Sequence, residues 1–250
     1  MHVHFIPGFH SVKEALNKPR GSVIEVWTSR AKHSARIKEI GLLAQKEGIP
    51  VLYKPKHILD TVLPGISHQG IVALNREFLF KDLPELIDIS RDQDHYGLLV
   101  LADHITDEGN MGAIIRTSVF FGAHGLIIPK DRSAGISRNV MKRSSGAYIH
   151  LPVCKVVNLG RALDILKHNG FWIVGAAVDG SQTLFEFDWR RDIVLVLGSE
   201  GRGISRGIRK RCHQLVSIPP SGSLGALNVS VACGVILSEI TRQRIAAPRD

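Results

Sequence analysis

The chain has 250 residues, 44% of them hydrophobic and 22% charged, enough for one large domain or two small ones with cores of their own. Its formal net charge of +9 is compatible with nucleic acid, because Lys and Arg that neutralise phosphates dominate such affinity. No apolar run reaches membrane-spanning length, the opening MHVHFIPGFHSVKEAL lacks a secretory pattern, and three scattered cysteines without CxxC spacing exclude a disulfide framework and a zinc site.

Residues 1–76 read as a small α/β unit. Ser11 and Glu14 have capping-box spacing ahead of a helix over Val12, Ala15 and Leu16. VIEVWTS (23–29) reads as a strand. A helix follows with Ser34 as its cap, Ile37, Ile40 and Ala44 on one face, and Gly48 as terminator. IPVLYK and QGIVALNR supply further strands. His2 and His4 have the look of a ligand pair, but a disordered terminus is the expectation. The mixed stretch 77–95 reads as a linker.

A second domain, 96–250, alternates again. GLLVLAD (97–103) is a strand, and the next helix opens at Asn110, carries Met111, Ile114, Ile115 and Val119 near one face, and stops at Gly122. GLIIP, FWIVGAAV and IVLVLG are continuous apolar runs, as suits strands buried on both faces of a mostly parallel sheet. The last helix is expected from about Asn228 to Arg244.

Three segments place a tight turn directly after an apolar run: ADHITDEGNMGAIIRT, IVLVLGSEGRGIS and LVSIPPSGSLGALNVSVA. Polar groups are thus gathered at strand ends, where open α/β sheets bind ligands. Gly198, Gly201 and Gly203 let backbone approach a ligand closely, although the same loop also reads as a plain strand-to-helix turn. It lacks the GK[ST] of a phosphate-binding Walker loop, and no GxGxxG follows the first strand, which removes a dinucleotide enzyme. Asn110 and Asn228 are both well suited to cap helices. Arg116 lies inside its helix, where a solvated arginine is the plain reading. Arg202, Arg206, Arg209, Lys210 and Arg211 have the spacing of one positive helical face, and Lys130, Arg132, Arg138, Lys142 and Arg143 form a second basic run. The twelve histidines show no metal spacing.

Taken together and in this order, GNMGAIIRT, LGSEGRGI and ALNVSVA resemble the signature motifs of the SPOUT superfamily, in its SpoU/TrmH branch of RNA ribose 2′-O-methyltransferases. PKDRSA (129–134) and SHQGIVA (67–73) are similar to the subgroup that methylates a guanosine ribose in large-subunit ribosomal RNA. The resemblance implies an α/β trefoil-knot catalytic domain, with the last helix tucked through a loop, behind a smaller ribosomal-protein-like RNA-binding domain. It implies S-adenosylmethionine as cofactor, no metal, 23S ribosomal RNA as partner and a two-fold homodimer; the cysteine usage adds a cytoplasmic location. Asn110, Arg116, Glu200 and Asn228 would be the catalytic set, with Glu200 orienting Arg116 or the ribose. Backbone around Leu197, Gly198, Gly203, Ile218 and Leu227 would hold the adenosyl group.

Two departures stand out: Glu108 where the pattern has Pro, and Ala226 where it has Ser. The motif arginine can be read as a base or as a clamp on phosphate and developing alkoxide, and a permanently charged guanidinium suits the clamp better. A tRNA substrate is the alternative within the class. A non-catalytic RNA-binding assembly factor on the same fold is the alternative outside it, with Ala226 as its only support.

Overall fold

The computed structural model describes residues 3–17, 23–29, 35–76, 78–91, 96–223 and 225–246. Its elements begin β1 (Val3–Pro7), α1 (Phe9–Asn17), β2 (Val23–Thr28), α2 (Ala35–Lys46), β3 (Val51–Tyr53), α3 (Lys56–Val62), β4 (Ile71–Arg76), α4 (Leu83–Ser90), β5 (Leu98–Asp103) and α5 (Glu108–Phe120). There follow β6 (Gly125–Pro129), α6 (Arg138–Arg143), a 3-10 turn (Ala147–Ile149), β7 (Val153–Val156), α7 (Leu159–His168) and β8 (Trp172–Ala176). The chain ends with β9 (Gln182–Thr183), β10 (Ile193–Gly198), α8 (Arg206–Arg209), β11 (Gln214–Ser217) and α9 (Val229–Ala246). Two units result: residues up to Leu79 together with Ile136–Ile149, and Phe80–Gly135 together with His150 onward.

The first unit is built on a four-stranded sheet of order β1-β4-β2-β3, antiparallel except for the β2–β3 pair. Val12, Ala15, Leu16, Ile37, Ile40 and Ala44 are buried, as the helical spacing of α1 and α2 requires. Gly48, at φ +68, ends α2 with its N–H on Gln45 O, while Ile49 N–H reaches Ala44 O. The expected cap of α2, Ser34, lies outside the described residues. The capping box at Ser11 and Glu14 does not form. The chain leaves β1 at Pro7, turns at Gly8 with φ +88 and enters α1 at once, so Ser11 sits buried inside the helix. His4 belongs to β1 rather than to a disordered terminus, with Nε2 3.2 Å from Asn75 Nδ2 on the paired strand. His2 lies outside the described residues.

The second unit is a seven-stranded sheet of order β7-β6-β5-β10-β8-β11-β9 in which every pairing is parallel. β5, β6 and β10 are buried at every position, which is why they read as unbroken apolar runs. Within the stretch 77–95, α4 forms with Asp82 and Glu85 as a capping box, and Leu83, Leu86 and Ile87 enter the core with Leu99, Leu101 and Val194.

The carboxyl end of α9 is tied down by a half-buried arginine. Arg244 donates to the carbonyls of Tyr96, Gly97, Trp189 and Arg191 at 2.8–3.2 Å, and burial pushes its pKa down to about 10. Removing a side chain that satisfies four backbone acceptors at once is costly, so Arg244→Met is expected to lower stability by roughly 2–4 kcal/mol in chemical denaturation. A loss below about 0.5 kcal/mol would mean that water replaces it freely.

Candidate active site

The site grows from the carboxyl ends of β5 and β10, where Asp103 and Gly198 are paired in register. Gly198 admits no side chain: a Cβ there would lie 2.1 Å from the carbonyl carbon of Gly203. Ser199 and Gly203 pair through two backbone hydrogen bonds of 3.1 and 2.8 Å, with Gly203 at φ +62. That closure presents Glu200, Gly201 and Arg202 as a tight loop. Buried Asp103 pins its far side, accepting from Ser205 N–H at 2.6 Å, while its other oxygen lies 2.6 Å from His104 Nδ1.

Three distant motifs meet at Glu200. Its Oε1 accepts from Asn110 Nδ2 at 2.7 Å and from Asn228 Nδ2, and Asn228 Nδ2 also donates to Asn110 Oδ1 at 3.0 Å. The two asparagines are available for different reasons. Asp107, not Asn110, caps α5, accepting from Asn110 N–H at 2.7 Å, so the buried carboxamide of Asn110 is free of capping duty. Asn228 serves twice: its Oδ1 accepts from Ser230 N–H at 2.9 Å as the cap of α9, and its Nδ2 goes to the site. Glu108 occupies the first turn of α5, where either Pro or an acidic residue is favourable, so the departure from the pattern leaves the helix start intact.

Arg116 is exposed on α5, about one and two-thirds turns beyond Asn110. Glu200, expected to orient Arg116 or the ribose, is held by the two asparagines.

A cavity of about 540 Å³ opens beside this constellation, lined by Leu197, Gly198, Glu200, Gly203, Ile218 and Leu227 among others. Every expected cofactor-binding residue therefore lies on one wall system, and Ala226 lines it too. Sequence reasoning missed two parts of this region. One is Asp103, visible only as an acidic residue closing a strand. The other is the end of β8 at Ala176 with Ala177, Val178 and Asp179 after it, which line the cavity together with Arg209.

The single positive helical face does not form. α8 is only four residues long because the chain turns at Lys210–Cys212 into β11. Arg209 is committed to Asp179 and Arg211 to Asp164, whereas Arg202, Arg206 and Lys210 are exposed. The second basic run divides between the two units, Lys130 and Arg132 in one, Lys142 and Arg143 in the other. Among the described residues no group of three or more His, Cys, Asp or Glu could hold a metal ion, and no helix is long and apolar enough to cross a membrane.

The profile of the SpoU rRNA Methylase family matches residues 97–238, which contain all of this geometry. The chain belongs to the SpoU rRNA methylase family. A second profile, RNA 2′-O ribose methyltransferase substrate binding, matches residues 5–78. Among SpoU relatives, an uncharacterized tRNA/rRNA methyltransferase of Synechocystis is 40% identical over 95% of the chain, which spans 62% of that protein's length. The 23S rRNA (guanosine-2′-O-)-methyltransferase RlmB of Escherichia coli is 36% identical, covering 96% of this chain and 98% of its own. The crystal structure of the SpoU methyltransferase AviRb from Streptomyces viridochromogenes, in complex with AdoMet, superposes with a TM-score of 0.79 at 26% identity, covering 98% of this chain and 92% of that one. The parallel α/β unit that follows an N-terminal substrate-binding unit in the sequence is thus the SpoU architecture.

Proposed function

We propose that the protein methylates the 2′-hydroxyl of a guanosine ribose in 23S ribosomal RNA, with S-adenosylmethionine as cofactor. The observation that carries this reading is the convergence of Asn110 and Asn228 on one carboxylate oxygen of Glu200 beside the cavity. The residues present fit the cofactor. Gly198 lines the cavity with backbone alone, and Ile218, Leu227, Val229 and Ile236 offer apolar walls for a flat base. S-adenosylmethionine, when bound, supplies a methyl group on an electrophilic sulfonium.

The chain's own part is to place the 2′-hydroxyl and to receive the charge that develops on it. Holding reacting groups in attack geometry can account for about 7–11 kcal/mol of a barrier in favourable systems. Asn110 and Asn228, locked through Glu200, form a rigid polar wall between α5, the glycine loop and α9. Arg116 supplies the positive charge from the surface of α5: its guanidinium donates to the target phosphate or to the developing 2′-alkoxide. This assigns it the clamp role and leaves proton removal to another acceptor. The N-terminal unit contributes RNA affinity, in keeping with its match to the substrate-binding profile.

The deciding experiment maps 2′-O-methyl positions in ribosomal and transfer RNA from cells with and without this protein. Loss of one guanosine methylation in 23S RNA is expected; loss confined to tRNA would move the assignment to the alternative that the name of the Synechocystis relative keeps open.

Phosphate contacts should come from the exposed cations of the glycine-loop region. Arg206→Ala with Lys210→Ala is expected to flatten the log–log salt dependence of binding to a 23S fragment by about 1–2 units. Arg211→Ala, whose guanidinium is taken by Asp164, should leave the slope unchanged.

The protein is further proposed to work in the cytoplasm as a two-fold dimer. α5 and α9 pack together and carry the exposed apolar side chains Phe120 and Val231. Light scattering at micromolar concentration should give twice the chain mass, and an active monomer would contradict it.

A further inference from the structure

The segment that leaves β8 is fastened to its neighbour β11. Ala177 N–H donates to Val216 O at 2.9 Å, and Leu184 N–H donates to Ser217 O at 2.9 Å. At Gly180 a Cβ would lie 2.5 Å from the carbonyl carbon of Val216 and 2.6 Å from Ser217 N, so backbone lies directly on backbone. Asp179, the residue before, is thereby held at the cavity, which it lines. Its carboxylate takes both arms of a guanidinium, Arg209 Nη1 to Oδ1 at 2.9 Å and Arg209 Nη2 to Oδ2 at 2.7 Å. Arg209 lines the same cavity from α8.

A pair this exposed, 37% for Arg209 and 71% for Asp179, adds little to stability. What it does is fix a carboxylate at the cavity wall. The bidentate contact uses one acceptor site on each oxygen and leaves others open. Arg209 also holds the Asp179 pKa below the usual carboxylate range, so the group stays an anionic acceptor at neutral pH. The cavity has one other carboxylate in its lining, Glu200, and that one is occupied by Asn110 and Asn228. Asp179 follows β8 and Ile218 follows β11, the strand paired with it, whereas Glu200 follows β10, which pairs with β5. The residues expected to hold the adenosyl group include Ile218, so a cofactor bound there would bring that group to the Asp179 side of the cavity. The adenosyl group carries two vicinal hydroxyls, and an acidic residue at a strand end is a recurrent acceptor for a ribose diol in open α/β sheets.

We propose that Asp179 accepts hydrogen bonds from the ribose hydroxyls of the adenosyl cofactor, and that Arg209 is the positioning residue that aims its carboxylate. The assignment rests on the cofactor reading above and goes beyond it by naming the subsite.

Calorimetry with two ligands tests it: S-adenosylhomocysteine and its 2′,3′-dideoxy counterpart, titrated into the full chain and its variants. The wild type should prefer the diol by about tenfold to a hundredfold, as expected for hydrogen bonds to a charged acceptor. Asp179→Ala should erase that preference by weakening the diol ligand alone, with the dideoxy ligand held within about twofold. Arg209→Ala should lose part of the preference, and Arg209→Lys should recover some of it. Both side chains are exposed, so an unchanged melting temperature will show that the variants are folded. Equal weakening of both ligands by Asp179→Ala, or no weakening of either, overturns the subsite and leaves the cofactor reading standing. A wild type that binds neither ligand at millimolar concentration overturns both.

Discussion

Arg116→Ala is expected to cut methyl transfer by about 10²–10³-fold or more while leaving S-adenosylhomocysteine affinity within about twofold. The two halves of that expectation have separate structural reasons. Arg116 is exposed on α5, and the cavity is lined from β8, β10, β11, the glycine loop and α9, so truncating the arginine removes nothing that holds the cofactor. The same exposure means that the fold tolerates the change, since surface substitutions usually move stability by no more than about 0.5 kcal/mol. A rate loss therefore reports lost charge at the RNA rather than a lost domain. Arg116→Lys should recover little, because an ammonium cannot reproduce the two-armed donation of a guanidinium to phosphate. Single-turnover methyl transfer, alongside calorimetry on the same samples, checks both halves. An alanine variant within tenfold of wild type would remove Arg116 from the mechanism.

The elements that were legible from residues alone are those whose signal is local. β5, β6 and β10 announce themselves because burial on both faces demands unbroken apolar runs, and α2 because Ile37, Ile40 and Ala44 repeat at helical spacing before Gly48. Asn110, Glu200 and Asn228 were legible one by one, each beside a turn that closes a strand. That they share a carboxylate oxygen was not, because residues 110, 200 and 228 are joined only through sheet order. Asp103 fails the local test altogether: its role depends on pairing with Gly198 and on Ser205, a hundred positions away. The positive face around Arg206 failed for the opposite reason. Its spacing was helical, but α8 ends after one turn, and the guanidinium groups of Arg209 and Arg211 find carboxylates, Asp179 and Asp164, elsewhere in the chain. The signal for α4 is local as well, since Asp82 and Glu85 flank Pro84 in capping-box spacing.

Asn110 and Asn228 should separate cleanly when stability and rate are measured together. Both donate to Glu200, so Asn110→Ala and Asn228→Ala should each lower the rate by about 10²–10³-fold, the cost expected of one lost polar group in a preorganised site. Only Asn228 also caps a helix, and losing a cap costs about 1 kcal/mol, whereas α5 keeps Asp107 when Asn110 is gone. Asn110→Ala is therefore expected to be slow with an intact cap, and Asn228→Ala slow and less stable. Asn228→Ser discriminates further, because serine caps as well as asparagine but offers the site no carboxamide: stability should return and rate should not. Glu200→Gln retains an acceptor oxygen and should be milder than Glu200→Ala if the carboxylate acts by holding the two amides. Ala226 lines the cavity beside this network but makes no part of it, so Ala226→Ser should change the rate by less than about tenfold, under ~1.4 kcal/mol. Denaturation midpoints and single-turnover rates for the set decide the matter. If Asn228→Ser restored the rate along with the stability, the asparagine would be a cap and nothing more, and the shared oxygen on Glu200 would be scaffolding rather than chemistry.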